Sequence, residues 1–165
     1  PPPLRRIPTP PTPLNAKSPK TAEDGYALRD RFGWTQKEGK PNVFTSDVHP
    51  IGFPCYFTKG SGLIGTFSFL ITDIAPEEAW GYSLEPAKVI YRHFCEILTR
   101  RYGKPKRRSS RGECYRSMFV TSQGVGVKVG GNDALVSCIV ESPEEMFIEG
   151  EYARLVAKGY ISEDE

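Results

Sequence analysis

Ala87, Ile90, Tyr91, Phe94, Ile97, Leu98 and the pair Arg101/Tyr102 recur three and four residues apart. That spacing lays one apolar stripe along a helix, and a single-striped helix must lie on something. The expected helix covers residues 85–103. Pro86 suits a first turn, and Ser83 or Glu85 is the expected cap. Gly103 stands where a left-handed residue closes a helix, and Pro105 forbids continuation.

Strand-like runs surround this helix. Phe67, Phe69 and Ile71 alternate with Thr66, Ser68 and Thr72, so residues 53–58 and 65–74 read as a hairpin around Lys59-Gly60-Ser61-Gly62. After the helix, residues 114–121 form a strand, Gln123-Gly124 a turn, and Val125, Val127 and Val129 alternate with Gly126 and Lys128. Gly130-Gly131-Asn132-Asp133 is a turn cluster, and residues 134–140 place Val136, Cys138 and Val140 on one face. Val43-Phe44-Thr45 is expected as a short edge strand. Hairpin, helix and meander together predict an α+β fold: an antiparallel sheet of about five strands with one main helix packed on one face. The expected core is Phe67, Phe69, Ile71, Ile90, Phe94, Ile97, Leu98, Val127, Val136 and Val140.

Two shorter helices complete the reading. Residues 21–33 have Thr21 as cap, early acids, Arg29 and Arg31 late, and Gly33 as stop, although Gly25 weakens the interior. Residues 75–80 make a helical turn leading into the main helix. Pro143-Glu144-Glu145 opens the other helix, with Tyr152, Leu155, Val156 and Tyr160 as its packing residues. The helix end Tyr102-Gly103-Lys104-Pro105, returning as short strands, resembles small bacterial α+β proteins; the resemblance implies no activity.

Residues 1–20 hold eight of the fifteen prolines, so neither helix nor central strand is available to them. They form a proline-rich extended N-terminal arm, and residues 21–165 a single α+β domain. Leu4, Ile7 and Leu14 are the arm's only sizeable apolar side chains, too few for a core. With Arg5 and Arg6 they are the expected contacts to other protein subunits. Pro8 and Pro11 fit a bare P-x-x-P pattern and nothing more specific.

The chain carries a net charge of +2, but the arm holds four of the 22 basic residues and no acid, leaving 18 basic against 20 acidic beyond it. Bulk attraction to nucleic acid is not expected of such a body. One local exception stands out. Arg100, Arg101, Lys104, Lys106, Arg107, Arg108 and Arg111 fall within residues 100–111 without an acid. Such a run is a candidate polyanion site. Its plainer reading is a helix C-terminus stabilised by cations, followed by a loop that pairs with the acidic residues 141–151. Apart from Tyr102 at its start, no aromatic residue is interleaved through it to stack on bases.

No motif fixes a chemistry. Gly60-Ser61-Gly62-Leu63-Ile64-Gly65 matches G-x-G-x-x-G, but strand-like residues follow it, where a phosphate cradle needs a helix. His93 and Cys95, two apart on a helix, face different ways. Glu77/Glu78 and Glu144/Glu145 sit where helices begin and complement the dipole. Cys55, Cys95, Cys114 and Cys138 are widely spaced; at least three are expected to be buried thiols, with a bridge between Cys114 and Cys138 conceivable only on export. With His49 and His93 they do not make a zinc set. No catalytic residue, metal or cofactor is therefore expected. No apolar run reaches the length of a bilayer span. The chain begins with Pro1 rather than Met, so a preceding segment is expected, and the sequence favours neither cytoplasm nor export. The function expected is a non-catalytic protein-binding or scaffold module within a larger assembly. The alternative is a nucleic-acid-binding protein using residues 100–111; a third is a cysteine-dependent enzyme.

Overall fold

The computed structural model describes residues 21–45, 55–58 and 62–162. The elements in order are α1 (Ala22–Phe32), β1 (Thr35–Lys37), β2 (Lys40–Thr45), β3 (Cys55–Thr58), β4 (Ile64–Leu70), α2 (Trp80–Tyr102), β5 (Arg107–Arg111), β6 (Cys114–Val120), β7 (Gly126–Gly131), β8 (Val136–Glu141) and α3 (Pro143–Ala157). The strands form an antiparallel sheet in the order β1-β2-β3-β4-β8-β7-β6-β5. The fold is α+β. Five strands read from the sequence are present as β3, β4, β6, β7 and β8; the short strand expected at residues 43–45 is present as β2 but is not an edge, and β1 and β5 lie at the two ends of the sheet.

The pleat sorts side chains into two faces. Directly opposed residues share a face. Phe67 opposes Val140, which opposes Val127, which opposes Phe119. This row, with Val129, Cys138 and Val136, faces α2, which packs chiefly on β7 with β6 and β8 beside it. Phe94 and Leu98 of α2 are almost wholly buried there, with Ala87 and Cys95 along the same helix. Of the expected core, Phe67, Phe94, Leu98, Val127, Val136 and Val140 are buried; Phe69 and Ile71 pack half-buried against it, and Ile90 and Ile97 are also half-buried.

The far end of this face is closed by aromatics. Trp34 stacks between Phe32, at 4.9 Å, and Phe44 and Phe67, each at 6.2 Å between ring centroids. Phe44 is fully buried because β2 is not an edge: β1 and β3 flank it. α1 lies over Tyr56, and its ends are those expected, with a complete capping box at Thr21/Asp24 and Gly33 closing it at φ +65°. Gly25 is what lets it approach. A Cβ there would lie 2.9 Å from the Tyr56 ring.

α2 starts earlier than its sequence suggests. A 3-10 turn, Glu77–Ala79, runs straight into it. The Trp80 indole donates to the Ala75 carbonyl at 3.0 Å. The Ser83 hydroxyl donates toward the carbonyls of Ala79 and Asp133, so it ties the helix to the β7–β8 turn instead of capping it. Pro86 is consequently inside the helix. That β7–β8 turn is also shifted. Gly130 and Gly131 belong to β7, and Asn132 makes the turn by accepting the amides of Ala134 and Leu135.

α3 covers the opposite face, against β4 and β8. Ser142 caps it through the Glu145 amide. Lys128 points to this side and is 7% exposed; its ammonium meets Glu141 at 2.8 Å and Glu149 at 2.7 Å. Leu155 and Val156 are half-buried, whereas Tyr152 and Tyr160 are exposed, so α3 packs on a narrower stripe than its sequence implies.

Phe94→Ala should cost about 3–5 kcal/mol in chemical denaturation, as large aromatic truncations in cores do. Val89→Ala, at a position 57% exposed on the same helix, should stay within about 0.5 kcal/mol. Equal losses for the two would mean that α2 is rotated from the orientation described.

Candidate functional site

The basic run does not form a loop. Residues 107–111 are strand β5, closed onto β6 by a two-residue turn in which Gly112 takes φ +58°. The pleat then splits the cations. Arg108 opposes Ser117 and Ser110 opposes Tyr115, on the face toward α2. Arg107 opposes Met118, Ser109 opposes Arg116 and Arg111 opposes Cys114, on the other face. Arg101 lies over the Tyr102 ring at 5.4 Å in the last turn of α2. Lys104 and Lys106 are exposed in the connection, where the Lys106 amide donates to the Met118 carbonyl. The expected pairing of this run with the acidic segment does not occur among the described residues: Glu141 and Glu149 pair with Lys128 instead.

α2 packs on β7 and β6, and β5 extends beyond it. Between them lies an open groove of about 930 Å³. Two adjacent rows of α2 form one wall: Tyr91, Cys95 and Thr99, then Arg92, Glu96 and Arg100, each row spaced by four residues. Arg108, Ser110, Tyr115 and Ser117 form the sheet side. Its base is buried and polar. Ser117 is 1% exposed, and its hydroxyl shares a 2.7 Å hydrogen bond with Tyr91 Oη. The Tyr91 and Tyr115 rings pack on each other at 4.6 Å between centroids. Four arginines line it, Arg92, Arg100, Arg108 and Arg116, and of these Arg100 donates weakly to the Glu96 carbonyl, at 3.5 Å. Arg92 and Arg108 make no ion pair among the described residues. Arg92 is absent from the basic run and reaches the groove only because the helix turns it there.

The cysteines divide by environment. Cys138 is fully buried, Cys95 nearly so, and Cys114 exposed at the start of β6; all three are free thiols, so Cys114 and Cys138 do not bridge. The Cys55 side chain lies outside what is described. Burial pushes the Cys95 thiol up, against the smaller opposing effects of the Ser117 and Tyr91 hydroxyls and the Arg108 charge. Burial raises Cys138 as well, with Cys95 adding to it. A raised pKa holds both as thiols, the opposite of what a nucleophile needs. His93 is exposed on α2; His49 lies outside the described residues, as do Leu4, Arg5, Arg6, Ile7 and Leu14 of the arm. Gly60 and Ser61 also lie outside them, and the G-x-G-x-x-G stretch leads into strand β4, not a helix. Among the described residues no cluster of three His, Cys, Asp or Glu is placed to hold a metal ion, and no helix is long and apolar enough to cross a membrane.

The hydroxyls around the groove give it an alkaline limit. Burial pushes Tyr115 up to about 12 and raises Tyr91 above the ordinary 10.0 and Cys95 and Cys138 above 9.0. The folded chain therefore keeps these protons at a pH where the unfolded chain releases them. Stability contributed this way is complete below the unfolded values and lost as pH rises through the folded ones. Denaturation midpoints should hold at neutral pH and fall progressively above 9.0. A midpoint that rises in that range would contradict the burial of these groups.

No curated protein and no solved structure matches the chain. A family model does, over residues 17–142, which takes in α1, α2 and all eight strands and stops just before α3. The chain belongs to that family, DUF6301, a family of unknown function.

Proposed function

We propose that this protein is a non-catalytic binding module of a larger protein assembly, and that it takes an acidic segment of a partner protein into the groove between α2 and β5. One observation carries the reading. Arg92, Arg100 and Arg108 line a single open groove, and none of the three has a carboxylate partner among the described residues. Three guanidinium groups around hydroxyl-bearing walls suit carboxylates, which take paired N–H donors. A nucleic acid would use the same cations, but it also gains from free aromatic faces. Here the Tyr91 and Tyr115 rings are already packed on each other, and the chain beyond residue 20 has more acids than bases.

Calorimetric titration of the full chain with an end-blocked peptide of alternating glutamate and threonine should show saturable binding that weakens with added salt. Arg108→Glu should lower affinity at least about tenfold, roughly 1.4 kcal/mol. Lys158→Glu, at an exposed residue just past the end of α3, should change it little. Equal effects at the two positions would leave only diffuse charge attraction. Tighter binding of a single-stranded oligonucleotide than of the peptide would give the groove to nucleic acid.

The arm is proposed as a second contact to the same assembly, with Leu4, Ile7 and Leu14 in shallow pockets and Arg5 and Arg6 on acidic surface. Its prolines reduce the freedom lost on docking. Removing residues 1–20 should leave the melting temperature nearly unchanged while retention of the partner drops. An unfolded truncated chain, or one that assembles normally, would remove the arm from this role.

A further inference from the structure

The sheet ends at β5. It pairs with β6 on one side and with no described strand on the other, and all five of its residues are exposed. An edge strand leaves alternate N–H and C=O groups unpaired, a template for another extended chain unless something blocks it. The opposite edge is blunted. β1 is three residues long, and its register shifts between Gln36 and Lys37. β5 has neither device. Its register with β6 runs unbroken from Arg107↔Met118 to Arg111↔Cys114, and it contains no proline.

What β5 does carry is charge on both faces. Arg108 projects on the groove side, with Arg92 and Arg100 across from it; Arg107 and Arg111 project on the other side, beside Arg116. Like charges directly opposed across two strands are destabilising, so a second β5 is a poor partner. A strand with carboxylates on alternate sides meets a cation on each face.

We propose that the partner's acidic segment binds as an extended strand added to the free edge of β5. Main-chain hydrogen bonds to β5 supply affinity, and the arginines on its two faces select acidic side chains, the division of labour seen in strand addition generally. This rests on the groove taking an acidic protein segment, and it adds the geometry in which that segment lies.

The test uses the full chain and two peptides: the end-blocked glutamate/threonine peptide and the same sequence N-methylated at every amide. The second keeps every carboxylate and has no donor to give a strand. The parent should bind and slow amide hydrogen exchange along residues 107–111. The methylated peptide should bind at least about tenfold more weakly and leave those amides unchanged. Equal binding of the two peptides without protection of β5 would overturn strand addition while leaving the groove its acidic ligand. No binding of the parent would overturn the groove reading and this one with it. Protection of β5 that rises with protein concentration alone would assign the edge to a second copy of the chain.

Discussion

The burial of one side of α2 against the valine face of β7 is the contact on which everything else is arranged. Phe94 and Leu98 have almost no exposure, and neither do Val129, Val136 and Cys138 beneath the helix. Such a helix centres itself where the facing residues are largest and driest. Here that is β7 and its neighbours, not the end of the sheet. A helix is only 10–12 Å across with its side chains, whereas strands lie 4.7–4.9 Å apart, so one helix cannot cover the strands from β4 to β5. α1 and the Trp34 stack fill the space at the β2–β4 end. At the β5 end the face stays open, and that opening is the groove. The candidate site is therefore a by-product of where the core sits, furnished with arginines.

The opposite face solves a different problem. Lys128 lies in the middle of a central strand, where a bare ammonium would be costly. Glu141 from β8 and Glu149 from α3 neutralise it. An ion pair at such a site adds little net stability over a well-packed apolar pair, but losing one partner is severe. Its value here is placement. Glu149 gives α3 a fixed point along the sheet, and Gly65 and Gly126 leave room beneath it. A Cβ at Gly65 would lie 2.5 Å from the Glu145 carboxylate, and one at Gly126 would collide with Met146.

Much of this could be read from the residues, and the gaps have identifiable causes. Strong local signals were legible: the stripe of α2, the alternation of β4 and β7, the caps of α1 and the Pro143 start of α3. The start of α2 was not, because Pro86 advertises a first turn while the Trp80 indole and the Ser83 hydroxyl, through contacts with Ala75 and Asp133, carry the helix back past it. Phe44 was legible only as part of a short edge strand and Trp34 not at all, because no period operates around them, and the stacking of distant rings is what reveals both as core. β5 has no apolar residue at all. It is a strand because β6 offers it a ladder, a case of pairing overriding composition. The groove was half visible: its cations on β5 and at Arg100 were in the run, but Arg92 and the buried Tyr91–Ser117 pair needed the helix to be laid on the sheet.

Size and charge set two concavities of the described sheet apart. The one on the α3-bearing face is about 320 Å³; Arg111 and Arg116 line it beside Lys128, which is already neutralised from two directions. The one beside α2 is about 930 Å³, and Arg92 and Arg108 in it have no such partners among the described residues. A carboxylate arriving at Lys128 would compete with two acids already in place. A carboxylate arriving at Arg108 meets no acid already paired with it among the described residues. The second encounter displaces no paired acid, and it occurs beside the edge of β5 that pairs with no described strand. Among the described residues, cations without ion pairs and a strand edge without a neighbour thus meet along one line of the molecule, and the proposed partner is assigned to this border for that reason.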